Sequence, residues 1–159
     1  MFRNTFPMSA TSNKGIYCLV IKLLRASDIK IGCLGVFRFP KGFYIYTGSA
    51  QNNMACRIRR HLRKKKKFHW HIDYLLGVGE VACVYKYSGE KRMECMINNK
   101  VGSLKNAVIP VKGFGSSDCI CDSHLWFFQN DPGVRMSKLS MGDTCGRPEE
   151  AHIQSLRDF

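Results

Sequence analysis

The alternation of apolar and polar positions divides this chain into short strands and two main helices. Residues 15–24 (GIYCLVIKLL) are rich in Ile, Leu and Val and predict a strand, with Tyr17, Leu19, Ile21 and Leu23 on one face. Residues 29–33 and 36–39 read as short strands broken by Gly32 and Gly35. A turn at Pro40-Lys41-Gly42 leads into residues 43–47 (FYIYT), a strand with Tyr44 and Tyr46 on a common face. Over residues 52–65, Met54, Ile58, Leu62 and Lys65 recur at helical spacing, so the apolar stripe of this helix is narrow. A short helix or turn is expected from His71 to Leu76, and a strand over residues 80–87. A second main helix follows over residues 91–102, where Met93, Ile97 and Val101 share a face. Past Leu104, short strands and loops end in the apolar run from His124 to Phe128. The order β-β-β-α-β-α predicts an α+β domain with an antiparallel sheet.

This pattern sets the expected organisation. Residues 1–14 read as a flexible leader, residues 15–130 as one domain, and Asp131–Phe159 as a weakly ordered tail with little periodicity. No apolar run approaches the roughly 20 residues of a membrane-spanning helix, so no membrane partner is expected. The polar N-terminus lacks the features of a secretory signal, which makes a cytoplasmic location the expectation. Reduced thiols are then expected for the eight cysteines, with metal binding as the special case.

Charge changes the picture more than composition does. The net charge is +13, and eight of the basic residues lie between Arg57 and Lys67 with no acid among them. The remaining sequence holds 17 basic against 12 acidic residues, so most of the excess is local. Arg59, Arg60, Arg63, Lys64, Lys65, Lys66 and Lys67 are therefore candidates to track a nucleic-acid backbone, with DNA expected ahead of RNA. The plainer alternative is a solvated, self-repelling helix end.

Cutting a phosphodiester requires a deprotonated water, stabilised phosphate charge and a served leaving oxygen. Glu94 is a candidate to anchor Mg²⁺ or Mn²⁺, since a lone carboxylate can hold such an ion together with waters and phosphate oxygens. Arg57 offers planar, permanently charged donors to phosphate oxygens. Tyr17 and Tyr46 are candidates to orient or deprotonate water. His61, four residues after Arg57 and on the same side of the helix, could relay a proton or bind phosphate. Each residue alone has an ordinary explanation. Strand tyrosines usually pack, and a glutamate in a first helical turn favours the helix dipole.

The ordered combination resembles the GIY-YIG nuclease superfamily: Gly15-Ile16-Tyr17, Tyr46-Thr47-Gly48-Ser49-Ala50, Arg57 with His61, then Glu94. The runs Arg60-His61-Leu62-Arg63, His69-Trp70-His71-Ile72-Asp73-Tyr74-Leu75 and Gly113–Leu125 are similar to its Uri endonuclease branch, the DUF123 domain. The resemblance implies a small three-stranded antiparallel sheet flanked by helices, here with extra C-terminal strands and loops. It also implies a metal-dependent endonuclease in which Tyr17 and Tyr46 line the site, Arg57 contacts the scissile phosphate and Glu94 binds the metal. An asparagine often follows that glutamate, and Asn98 and Asn106 are the candidates. Arg57 lies one residue further from Tyr46 than is typical, so Arg57 and Arg60 compete for the arginine role. Arg57 is preferred because His61 then keeps its usual offset. A non-catalytic nucleic-acid-binding module on the same fold is the alternative.

Two further clusters stand out. His69, His71 and Asp73 alternate, and would form a metal or phosphate row if extended, or a structural hydrogen-bond network around Trp70. Cys119, Cys121 and His124 offer three soft ligands for a structural Zn²⁺, provided that Cys95 or Cys83 supplies a fourth. The competing explanation is small buried thiols beside a packed strand.

Overall fold

The structure is a computed structural model, and it describes residues 13–139 together with the backbone of residues 149–151. Strand β1 (Gly15–Leu23) is its centre. It pairs antiparallel with β4 (Gly42–Ala50) on one side and with β5 (Glu80–Ser88) on the other. Both faces of β1 are covered, which explains why its sequence runs apolar at almost every position. Tyr17, Leu19, Ile21 and Leu23 share one core with Ile58, Ile72 and Leu75. Ile16, Cys18 and Val20 face the other core, with Ile97 and Val101.

The three-strand arrangement β4-β1-β5 is extended at both edges. Strand β6 (Leu125–Phe128) pairs with β4, and the short β7 (Glu149–Ala151) pairs with β5. The sheet is therefore larger than the three strands expected, because the apolar run after His124 adds to the free edge of β4 and covers it. Strands β2 (Ser27–Ile31) and β3 (Gly35–Phe39) form a separate two-stranded sheet, turned through Gly32 and Gly35 in positive-φ conformations.

The helices follow the expected pattern with tighter ends. Helix α1 (Met54–Leu62) starts at Asn53, whose Oδ1 accepts from the Cys56 amide. It stops short of the expected Lys65, leaving Arg63 to Lys67 outside it. Helix α2 spans His71–Leu76 and helix α3 spans Met93–Gly102. Of the leader, residues 1–12 lie outside the described residues, as do 140–148 and 152–159 of the tail. The described part of that tail holds helix α4 (Gly133–Ser137), whose Met136 is buried in the second core, and strand β7. Among the described residues, no helix is long and apolar enough to cross a membrane.

Candidate active site

Register brings the two tyrosine turns together. Tyr17 pairs with Gly48 across β1 and β4, which puts Tyr46, two residues before Gly48, diagonal to Tyr17 on the same face. The two rings lie 6.4 Å apart between centroids. Gly48 is needed for its size. A Cβ there would sit 2.6 Å from the Tyr17 hydroxyl, so the ring lies directly over the glycine. Gly115 plays the same part for Tyr46: it has a φ of +68°, and a Cβ there would come 2.9 Å from the ring.

Tyr17, Tyr46, Arg57 and Glu94 all line one cleft of about 480 Å³. They come from β1, β4, α1 and α3, so the site depends on the whole fold. Ser49, Gln51, Asn52, Lys91, Ser117 and Asp118 complete much of the wall. Of these six, Gln51, Asn52 and Lys91 carried no local signal in the sequence, whereas Ser49, Ser117 and Asp118 lie within the runs that carry the resemblance. Lys91 and Asp118 close one side with an exposed ion pair of 2.9 Å.

His61 takes a different place from the one its spacing suggested. It is 2% exposed, and its Nε2 lies 2.8 Å from the Tyr17 hydroxyl. Burial, aided by the nearby Lys66 charge, pushes its pKa down to about 3. It is therefore a neutral imidazole behind the tyrosine, and neither a titrating group near neutrality nor a phosphate contact. Its Nδ1 faces Asp73 Oδ1 at 4.0 Å and has no hydrogen-bond partner. The tautomer with the proton on Nδ1 presents that proton to the carboxylate and leaves Nε2 to accept from Tyr17. Burial raises the Tyr17 phenol above its ordinary value, while Arg57 opposes the shift by charge and hydrogen bonding. Burial likewise holds Tyr46 well above its ordinary value.

Asp73 organises the ground beneath the site. Its buried carboxylate accepts from Arg60 Nη1 and Nη2, both at 3.0 Å, and from the His69 and Trp70 amides. Burial works to raise its pKa, but these donors outweigh it and hold the carboxyl below its ordinary value. Asp73 thus holds the N-terminus of α2 in a hydrogen-bond network that His69 and Trp70 join through their backbone amides, while the His69 and His71 side chains line the cleft and the three do not converge as a metal row. His71 Nδ1 accepts from the Gly115 amide at 3.0 Å, tying α2 to the Gly113–His124 loop.

The same network decides between the arginines. Arg60 is forked onto Asp73 and donates to the Lys67 carbonyl. Arg57 instead lines the cleft. Both guanidiniums stack on Trp70, at 4.5 Å for Arg57 and 4.2 Å for Arg60. Lys66 is also turned inward, with its side chain 6% exposed and its Nζ donating to the Arg60 and His61 carbonyls. Arg60 and Lys66 thereby leave the expected backbone-tracking run, while Arg63, Lys64, Lys65 and Lys67 are exposed and Arg59 half-buried.

Asn98 is buried and used at both ends of its amide, donating to the Ser123 carbonyl and accepting from Trp126 Nε1. It clasps α3 to β6. Asn106 is in a loop with a φ of 68°. Neither lines the cleft.

Glu94 Oε1 lies 3.0 Å from His124 Nδ1, and His124 also contacts the Thr47 carbonyl at 3.3 Å. That engagement leaves Oε2 to accept a cation. One carboxylate beside a wide polar cleft fits Mg²⁺ or Mn²⁺, which keep most of their ligands as water and substrate oxygen. Cys95, Cys119, Cys121 and His124 converge beside it, with one ligand atom from each within 4.8 Å of the others. Cys95, not Cys83, is the fourth member.

Fold and site together define a small α+β domain with one polar cleft built from the tyrosine turns, a helix arginine and a helix glutamate. The chain belongs to the family described as a domain of unknown function, DUF123, whose model matches residues 16–145. No curated protein and no solved structure matches the chain.

Proposed function

We propose that this protein is a metal-dependent endonuclease of the GIY-YIG type, hydrolysing phosphodiester bonds in nucleic acid, with DNA as the first candidate substrate. The observation that carries this reading is the convergence of Tyr17, Tyr46, Arg57 and Glu94 on one cleft from four separate elements. The reading is supported by the antiparallel core β4-β1-β5, with α1 and α2 packed on one face and α3 on the other, although β6 and β7 extend that sheet beyond three strands.

The chain's own residues would divide the work as follows. Arg57, held flat on Trp70, presents guanidinium donors to non-bridging phosphate oxygens as charge develops. Tyr17 keeps its proton and donates a hydrogen bond through it to neutral His61, which fixes the phenol and turns its oxygen lone pairs toward an attacking water. Tyr46 walls the same space and excludes solvent from beside Tyr17. Glu94 would hold the divalent ion, which supplies Lewis-acid stabilisation of phosphate and an acidified water. Arg63, Lys64, Lys65 and Lys67 follow the nucleic-acid backbone, which gives affinity without sequence choice.

The test is a cleavage screen over duplex, single-stranded and branched DNA and over RNA, with Mg²⁺ or Mn²⁺. Cleavage of at least one form, abolished by chelator, is the expected result. Salt-dependent binding with every substrate left intact would instead select a non-catalytic nucleic-acid-binding module.

A further inference from the structure

The chain from Ser103 to His124 contains neither helix nor strand. Irregular connections longer than about 12–15 residues are uncommon in compact domains, and the first part of this one is held by the Val108–Phe127 bridge and by Val111 and Phe114 in the core. This one ends in Cys119, Cys121 and His124, and Cys95 on α3 meets them. Cys119 Sγ is 3.3 Å from His124 Nε2, and Cys95 Sγ is 3.9 Å from the same atom. Tetrahedral zinc, with bonds of about 2.3 Å to sulfur and about 2.0 Å to nitrogen, sets neighbouring ligand atoms about 3.5–3.8 Å apart. The two sulfur–nitrogen distances bracket that spacing, and all four ligand atoms lie within 4.8 Å of one another. Cys119 and Cys121 both belong to the cluster while Ile120 between them is fully exposed, so this one-residue gap, shorter than the common zinc spacing, still turns both thiols to the same side. None of the described cysteines is in a disulfide.

The second observation concerns the other nitrogen of His124. With Nε2 facing the thiols, Nδ1 faces Glu94 Oε1 at 3.0 Å. A metal on Nε2 requires that nitrogen to be deprotonated, which puts the proton on Nδ1 and makes it a donor to the carboxylate. Metal-bound histidines commonly carry such a carboxylate partner, and the pairing orients both groups.

The geometry points to a Cys₃His zinc site formed by Cys95, Cys119, Cys121 and His124, which pins the irregular loop to α3 and positions Glu94 through His124. The site adjoins the Mg²⁺ or Mn²⁺ position through the His124–Glu94 contact and differs from it in ligand chemistry, soft thiolate against hard carboxylate. The positioning half rests on Glu94 being a metal ligand, as in the nuclease reading. The zinc half does not.

The experiment has two measurements. Metal analysis of reduced protein, prepared with zinc and without chelator, should find one zinc per chain. Cys119→Ser and Cys121→Ser should fall to background, while Glu94→Ala and the exposed-site control Cys33→Ser keep the ion. Cobalt-substituted protein should show thiolate-to-cobalt charge-transfer absorption. A wild-type protein without zinc, or without that absorption, overturns the site. For the positioning half, His124→Cys keeps four soft ligands but removes the donor to Glu94. It should retain zinc and bind Mn²⁺ about tenfold more weakly, read from the EPR signal of free Mn²⁺. Retained zinc with unchanged Mn²⁺ affinity contradicts the positioning role. Failure to cleave any substrate, with zinc bound, would count against the nuclease reading and leave the zinc site standing.

Discussion

His61 and Asp73 show how position changes the chemistry of a side chain. His61 stands where a helix histidine could meet phosphate, yet burial makes it a neutral acceptor for Tyr17. Its folded pKa of about 3 lies below the ordinary 6.5, so the unfolded chain takes up its proton first as pH falls. Its stabilising contribution is therefore present above about pH 6.5 and is lost progressively as pH falls from there toward about 3. Asp73, also depressed, adds a loss that begins near its ordinary 3.8 and continues below. Urea denaturation from pH 8 to pH 4 should show the His61 decline, and His61→Gln should flatten it. A pH-independent midpoint in wild type would contradict the burial account. Asp73→Ala leaves inward-turned Lys66 and half-buried Arg60 without their carboxylate, and should cost about 3 kcal/mol in the same assay. Arg57→Lys keeps the charge but loses the planar fork on Trp70, and should lower the single-turnover cleavage rate by on the order of 100-fold.

At the scale of elements, the site is a product of strand register. Tyr17 lies over Gly48 because β1 and β4 pair those two residues, and the next same-face position is Tyr46. Gly48→Ala would put a methyl where the Tyr17 hydroxyl stands. It should destabilise the fold by about 1–3 kcal/mol and reduce cleavage at least tenfold, measured by urea denaturation and a cleavage time course. Tolerance of that substitution in both assays would mean that the Tyr17 ring does not need its place over Gly48. The elements themselves were legible because each carries its own local pattern: apolar runs rich in β-branched and aromatic residues in β1 and β4, alternation in β5, and spacing near four in α1 and α3. What was not legible lies between elements. No local pattern announces that the Leu125–Phe128 run joins the β4 edge. None announces that Lys66, in a run of identical charges, folds back onto helix carbonyls while Lys65 and Lys67 stay outside. Arg57 and Arg60 competed in the sequence, with Arg57 preferred on its offset to His61, and the carboxylate partner on α2 is what turns Arg60 away from the cleft. Cys95 was one of two cysteines that could complete the cluster, and the packing of α3 against the loop makes the choice.

For the whole molecule, charge and fold divide the labour. The basic excess of the Arg57–Lys67 segment ends up on two sides, with Arg60 and Lys66 inside and Arg63, Lys64, Lys65 and Lys67 exposed. Exposed cations that displace the counterions condensed on a nucleic-acid backbone give binding a steep salt dependence. Replacing those four exposed residues with alanine should lower the slope of log affinity against log salt by roughly three, without abolishing cleavage at low salt. An unchanged slope in a binding titration would remove them from the interface. The central claim is that the cleft is a working phosphodiesterase site anchored by Glu94. The most direct measurement is the single-turnover cleavage rate of wild type and Glu94→Ala on the best substrate, in Mg²⁺, with equal fold stability verified for both. The account predicts a loss of on the order of 10³-fold or more in Glu94→Ala, with binding of the intact substrate retained. Equal rates in the two proteins would contradict it.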